Sequence, residues 1–337
     1  MNPVRTSLAF ALAAALGLSL PFTAVTQAAP TTCVAAPAAR NPAAISPTAA
    51  SATAPRRFDN AVLHVEITGK GRPMLLIPGL ATSGGVWRDA VARYGDRYEC
   101  HAVTLGGFAG TPRFEGPFLD TARESLLAYL RAQRLERPIV VGHSLGGVLA
   151  LQLAIAAPQA IGPIVVLDAV PFLGGLGQPQ ATSESVRARM EPMRKMIGGQ
   201  TQEAYAAFQK SSPYLRGIVT RPEDLARLID WASSSHPATV ADAMIETYSA
   251  DLRERVAEIR SPLLVLGSWY GFKDFSTRET VENNFRTQYA RVPHWSLAMA
   301  DTARHLLMLD DPQWTWSAVN GFLDSLAAGR PNAGGRR

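Results

Sequence analysis

Short, uniformly apolar runs recur along this chain: Met74 to Ile77, Ile139-Val140-Val141, Ile164 to Leu167 and Leu263 to Leu266. Each is β-branched or leucine-rich and is bounded by Gly, Pro or Asp. A strand with one face in water alternates apolar and polar residues. A run without alternation suits a strand buried on both faces, the condition of parallel strands covered by helices. Helical stretches lie between the runs, over Leu119 to Gln133, Gly147 to Ala156, Thr277 to Ala290 and Gln313 to Leu326. This alternation predicts an α/β fold with a mostly parallel central sheet flanked by helices. Val62 to Ile67 alternates, and Gly69-Lys70-Gly71 then turns the chain into the Met74 run, so these read as two strands joined by a short connection.

The segment 171–250 interrupts the alternation. It holds several helical patterns and no convincing strand, with Glu223 to Ala232 amphipathic behind Arg221-Pro222. Helices inserted between two strands are expected to form a cap over the sheet's carboxyl edge, where open α/β sheets bind ligands. Met190, Met193 and Met196 lie there at helical spacing. Core packing is the plainer reading for them, and the lining of an apolar pocket is the sharper one. The core is thus expected over 58–170 and 251–329, with a flexible tail over 330–337.

The amino-terminal region has a different character. One positive charge precedes the apolar stretch Leu8 to Phe22, and Thr26-Gln27-Ala28 follows with small residues. This reads as a secretory signal peptide over 1–28, too short to span a membrane stably, and predicts a periplasmic or secreted protein. Residues 29–57 are Ala, Pro, Thr and Ser with almost no large apolar side chain, and are expected to form a disordered linker. The two cysteines are Cys33 in that linker and Cys100 in the core. Export would permit a disulfide between them, while a metal site from two cysteines so far apart is not expected. The formal charge is +5, but the arginines are scattered and form no basic run, so nucleic acid is not an expected partner. Oligomeric state is not legible.

Val141-Gly142-His143-Ser144-Leu145-Gly146-Gly147 falls between the Ile139 strand and the following helix. A turn this tight forces strained dihedrals on its central residue and needs neighbours nearly free of side chains. The strain lifts the Ser144 hydroxyl to the tip of the sheet, above a helix N-terminus that favours a developing oxyanion. A phosphate-binding loop is excluded, because no Lys-Ser/Thr pair follows the glycines. A nucleophilic serine requires a base. Among His64, His101, His143, His236, His294 and His305, only His305 follows a strand (Trp295 to Ala300) by a short loop and precedes a helix that starts near Asp311-Pro312. That places it at a carboxyl strand end, facing the serine. His143 is expected to pack beside the turn, pointing elsewhere.

With these features the chain, from about Phe58 to Leu326, resembles the α/β-hydrolase superfamily, in its lipase/esterase-like branch. The resemblance rests on Ile77-Pro78-Gly79-Leu80, on Gly142 to Gly147, and on Ala303-Arg304-His305-Leu306 with Leu309-Asp310-Asp311-Pro312. The family commonly has His-Gly where this chain has Pro78-Gly79, and its usual Asp before the loop Gly106 to Thr111 is replaced by Thr104 or Leu105. The resemblance implies oxyanion-hole N–H groups at Leu80 and Leu145 and an acid that holds the histidine tautomer. Most relatives carry that acid after the strand that follows the cap, where this chain has Tyr270; Asp274 lies four residues further on. Other branches, haloalkane dehalogenases among them, carry it at the preceding strand end, where Asp168 stands. Asp168 is preferred for its rigid position, Asp274 is the alternative, and Asp301 is too near His305 in sequence. The implied protein is an exported serine hydrolase acting on small carboxylic esters without metal or organic cofactor. Amide or lactone hydrolysis, cofactor-free haloperoxidase-like chemistry, and a non-catalytic binding protein are the alternatives.

Overall fold

A computed structural model of the chain describes residues 55–329. The expected signal peptide, most of the expected linker, Cys33 and the expected tail lie outside the described residues.

Eight strands form one sheet: β1 (Arg56–Asp59), β2 (Leu63–Gly69), β3 (Arg72–Ile77), β4 (Tyr98–Leu105), β5 (Ile139–His143), β6 (Ile164–Leu167), β7 (Leu263–Ser268) and β8 (Trp295–Ala300). Their order is β1-β2-β4-β3-β5-β6-β7-β8. β1 and β2 pair antiparallel, as do β2 and β4, and every later pair is parallel. The mostly parallel α/β sheet read from the apolar runs is therefore the one formed. β5, β6 and the first residues of β7 are buried throughout, as uniform apolarity requires of strands covered on both faces. β2 and β3, though consecutive in sequence, are not neighbours, because β4 lies between them.

β1 begins inside the stretch expected to be linker. Arg56 pairs with Ile67 and Arg57 with Glu66 along the ladder. Side-chain contacts from Arg56 to Glu99 and from Arg57 to Glu66 reinforce it. An edge strand needs only a backbone ladder on one side, so Arg-Arg-Phe-Asp forms one without an apolar pattern.

The helices are α1 (Arg88–Tyr94), α2 (Phe118–Ala132), α3 (Leu145–Ala156), α4 (Ser183–Gly198), α5 (Gln202–Ser211), α6 (Pro213–Gly217), α7 (Pro222–Ser234), α8 (Pro237–Ser249), α9 (Arg278–Tyr289), α10 (Leu307–Asp310) and α11 (Pro312–Ala327). α3 is apolar on all sides and almost wholly buried, as befits a helix pressed against the sheet and covered by others. One hydrophobic cluster includes Leu75, Val140 and Val166, and a second includes Leu76, Val141 and Val165. Alternate residues of the same strands thus feed the two faces of the sheet.

α4 to α8 all lie between β6 and β7. Prolines open α6, α7 and α8, and Thr182 and Thr201 cap α4 and α5 through their hydroxyls, which explains why this segment breaks into short helices. Glu246 on α8 accepts from the Phe118 and Leu119 N–H groups at 2.9 and 2.8 Å. A carboxylate from the inserted helices therefore caps the N-terminus of a core helix. Among the described residues no helix is long and apolar enough to cross a membrane.

Candidate active site

Ser144 sits between β5 and α3 with φ 53° and ψ −119°. Positive φ is rare for a residue with a side chain and marks stored strain. The flanking glycines make it feasible. A Cβ on Gly142 would lie 2.1 Å from the Gly146 carbonyl oxygen, and one on Gly146 would lie 2.2 Å from that of Ile77. Neither site admits any side chain. The Ser144 N–H donates to the Leu167 carbonyl at 2.9 Å, and the Gly147 and Val148 N–H groups donate back to its own carbonyl. The first turn of α3 has no intrahelical acceptor for the Leu145 N–H.

The acid and the histidine meet at the same sheet edge. Asp168, also at positive φ (48°), follows β6 directly. Its Oδ2 lies 2.7 Å from His305 Nδ1. Oδ2 also accepts from the Ser268 hydroxyl at 2.7 Å, and Oδ1 from the Ser268 N–H at 2.8 Å. With only 7% of its side chain exposed, this carboxylate has its lone pairs fixed by donors from β7 and from the histidine loop. Asp274 is exposed in the loop beyond β7, and Asp301 pairs with Arg278 at 2.6 Å. The histidine's carboxylate partner is Asp168 and neither of the others. Ser268 ends β7, the strand where most relatives carry their acid, and there it holds an acid that comes from β6. A small polar residue at that strand end was the available signal, and it points to no particular partner.

His143 departs from the expected role of packing away from the site. Its Nε2 lies 2.9 Å from the His305 carbonyl oxygen, and the two rings stand 4.6 Å apart. Burial holds its pKa well below the ordinary imidazole value, and the neighbouring His305 acts in the same direction. The ring is therefore neutral. The other histidines lie elsewhere: His101 is buried against the Tyr129 hydroxyl at 2.6 Å, and His64 contacts Asp59 at 2.8 Å.

Ser144, His305, His143 and Leu80 line one cavity of about 130 Å³. Leu80 belongs to the turn after β3, where Ala81 has φ 53° and the Leu80 carbonyl accepts from the Thr82 hydroxyl at 3.0 Å. α4 to α8 provide the roof, which is mostly apolar but includes Gln209 and Ser212. Met193 and Met196 line the cavity, whereas Met190 is buried in the core, so the methionines divide between the two readings. Among the described residues no Asp, Glu, Lys or Arg side chain lines it. Burial raises the Tyr248 hydroxyl to about 12. Among the described residues no group of three or more His, Cys, Asp or Glu is placed to hold a metal. Cys100 is fully buried and has no disulfide partner among the described residues.

A strained residue at a strand-to-helix turn, followed in chain order by an acid and then a histidine at the same sheet edge, is the arrangement of α/β hydrolases. The profile of the alpha/beta hydrolase family matches residues 74–318, and the chain belongs to this family of hydrolases. It is 28% identical over 217 residues to a pimeloyl-[acyl-carrier protein] methyl ester esterase of Nitrosomonas europaea, covering 61% of this chain and 80% of the relative. It is 29% identical over 218 residues to a putative carbamate hydrolase, RutD, of Azorhizobium caulinodans, covering 61% and 76%. The fold superposes on the enol-lactonase of Burkholderia xenovorans with a TM-score of 0.65 at 18% identity, over 79% of this chain and 99% of the other.

Proposed function

We propose that this protein is an exported serine hydrolase that cleaves small, uncharged carboxylic esters. The observation that carries the reading is the 2.7 Å Asp168–His305 contact beside the cavity that strained Ser144 shares. With Nδ1–H donated to Asp168, Nε2 of His305 is the basic nitrogen. It takes the Ser144 proton as the hydroxyl attacks the ester carbonyl, and returns it to the departing alcohol oxygen. Asp168 fixes the tautomer and stabilises the imidazolium. The Leu80 and Leu145 N–H groups are assigned to the oxyanion, and water then releases the acyl group from Ser144. The carbon–oxygen ester bond breaks, the serine is regenerated, and no electrons are exchanged with a cofactor.

The cavity supports the substrate class. A charged substrate would lose its hydration without gaining an ion pair, since among the described residues no Asp, Glu, Lys or Arg lines the walls. The segment 171–250 is assigned the role of specificity cap, and the signal peptide over 1–28 directs the protein to the periplasm or outside the cell. The similarity to an esterase and to a carbamate hydrolase is consistent with acyl transfer to water. Amide or lactone cleavage would use the same residues.

A fluorophosphonate probe tests the mechanism: wild type is expected to label and Ser144→Ala is not. Equal labelling of the two, or none of wild type, would sink it. Export is tested by sequencing the amino terminus of the mature protein from cell fractions. The expected start is Ala29 outside the cytoplasm, and a cytoplasmic protein retaining residues 1–28 overturns that part.

A further inference from the structure

His143 is the last residue of β5 and is 3% exposed. A neutral imidazole has a single N–H, and a carbonyl oxygen can only accept, so the 2.9 Å contact with the His305 carbonyl puts that proton on Nε2. Nδ1 then carries a bare lone pair, and this buried atom has no hydrogen-bond partner among the described residues. It lies against the oxyanion turn: a Cβ on Gly79 would approach it to 2.9 Å. One ring therefore joins the serine turn by covalent adjacency, touches the Gly79 turn, and bonds the histidine loop. Leaving a buried nitrogen unpaired is unfavourable, so the position is not explained by packing alone.

The support of the histidine loop shows what the bond does. The Leu306 N–H donates to Ile218 in the cap region, the Arg304 guanidinium donates to Arg216 and Val219 there, and the Arg304 N–H donates to Asp310 at the end of α10. The hydrogen bonds given by the main chain flanking His305 thus go to the cap region or to the adjoining helix α10. Its ring is held to the core by Asp168, and its main chain by His143.

We infer that His143 is a positioning residue, which anchors the His305 main chain to the core sheet and so sets where Nε2 of His305 stands relative to Ser144. This rests on the serine-hydrolase reading above. A displacement of about 1 Å at a reacting group lowers rate about 100-fold without weakening binding.

The test uses three variants of the full chain on a short-chain p-nitrophenyl ester. His143→Phe keeps a ring without a donor. The amide of His143→Gln reaches the distance of Nε2 from the backbone, while that of His143→Asn reaches only the distance of Nδ1. The expected result is a roughly 10- to 100-fold fall in kcat for Phe and Asn with KM within about 2-fold, and recovery of most of that fall by Gln. Wild-type kcat in a folded Phe variant, or equal kcat for Gln and Asn, overturns the inference. If the Phe variant does not fold, the Gln and Asn pair decides. Fluorophosphonate labelling separates the two levels. An unlabelled wild type removes the serine reading itself, whereas a labelled wild type with Gln and Asn alike removes only the role of His143.

Discussion

At Asp168, donors from two separate segments converge on one nearly buried carboxylate, the Ser268 hydroxyl and N–H from β7 and His305 Nδ1 from the loop after β8. An amide cannot serve all of them, because one of its two polar atoms is itself a donor. Asp168→Asn is therefore expected to lower kcat on a short-chain ester by about 10⁴-fold, while Asp274→Asn stays within about 2-fold of wild type. Full turnover by Asp168→Asn would remove it from the mechanism. Ser268→Ala leaves the N–H bond and the histidine in place, and the loss of one charge-assisted hydrogen bond is expected to lower kcat about 10-fold. Steady-state kinetics on the three variants distinguishes these outcomes. The positions of Ser144 and His305 stand out in the sequence because each lies at a strand or loop boundary with its own local pattern, whereas Asp168 is preferred to Asp274 only for the rigidity of its strand end. The contacts of Ser268 with Asp168, 100 residues away, and of His143 with His305, 162 residues away, carry no such pattern. They exist only once β5, β6 and β7 lie side by side.

At the scale of elements, the strands that announced themselves were those with no polar interruption. β6 coincides with the Ile164 to Leu167 run, and β7 opens on the Leu263 to Leu266 run. β4 mixes Glu99, His101 and Thr104 among its apolar residues and is less distinct, and β1 has no apolar pattern at all. What makes β1 a strand is its partner β2, which is information about the sheet and not about the segment. The same holds for Glu246, which reads as an ordinary polar face residue of α8 until α2 is placed beside it. Because it satisfies two N–H groups of α2, Glu246→Ala is expected to destabilise the protein by about 1–2 kcal/mol. Urea unfolding checks this: the midpoint should fall with the slope unchanged. Gly146→Ala is expected to yield little folded protein by circular dichroism, since its Cβ has no space against the Ile77 carbonyl.

For the molecule as a whole, two buried histidines link stability to pH. Desolvation lowers His143, and it lowers His101 as well, outweighing the opposing pull of the Glu99 carboxylate. Both therefore take up a proton at lower pH in the folded chain than in the unfolded one, where the ordinary value is 6.5. The unfolded state then binds more protons below that pH, so stability falls as pH drops through 6.5, by up to about 1.4 kcal/mol per pH unit for each histidine. Calorimetry between pH 7 and pH 5 is expected to show a falling Tm, with a shallower decline in His143→Phe. A pH-independent Tm over this range would show that the two rings titrate in the folded chain as they do in the unfolded one. The attachment of the histidine loop to the cap region, through Ile218, Arg216 and Val219, bears on heat as well. Asp310 completes the tie, accepting from the Thr220 N–H and hydroxyl at 2.8 and 2.7 Å and from the Arg304 N–H at 2.9 Å. Warming that loosens the short helices of the roof pulls on the segment that carries His305 while the sheet is still intact. Inactivation on heating should then precede melting, and a molecule that has lost its turnover would still give the far-ultraviolet spectrum of a folded one and regain activity on cooling.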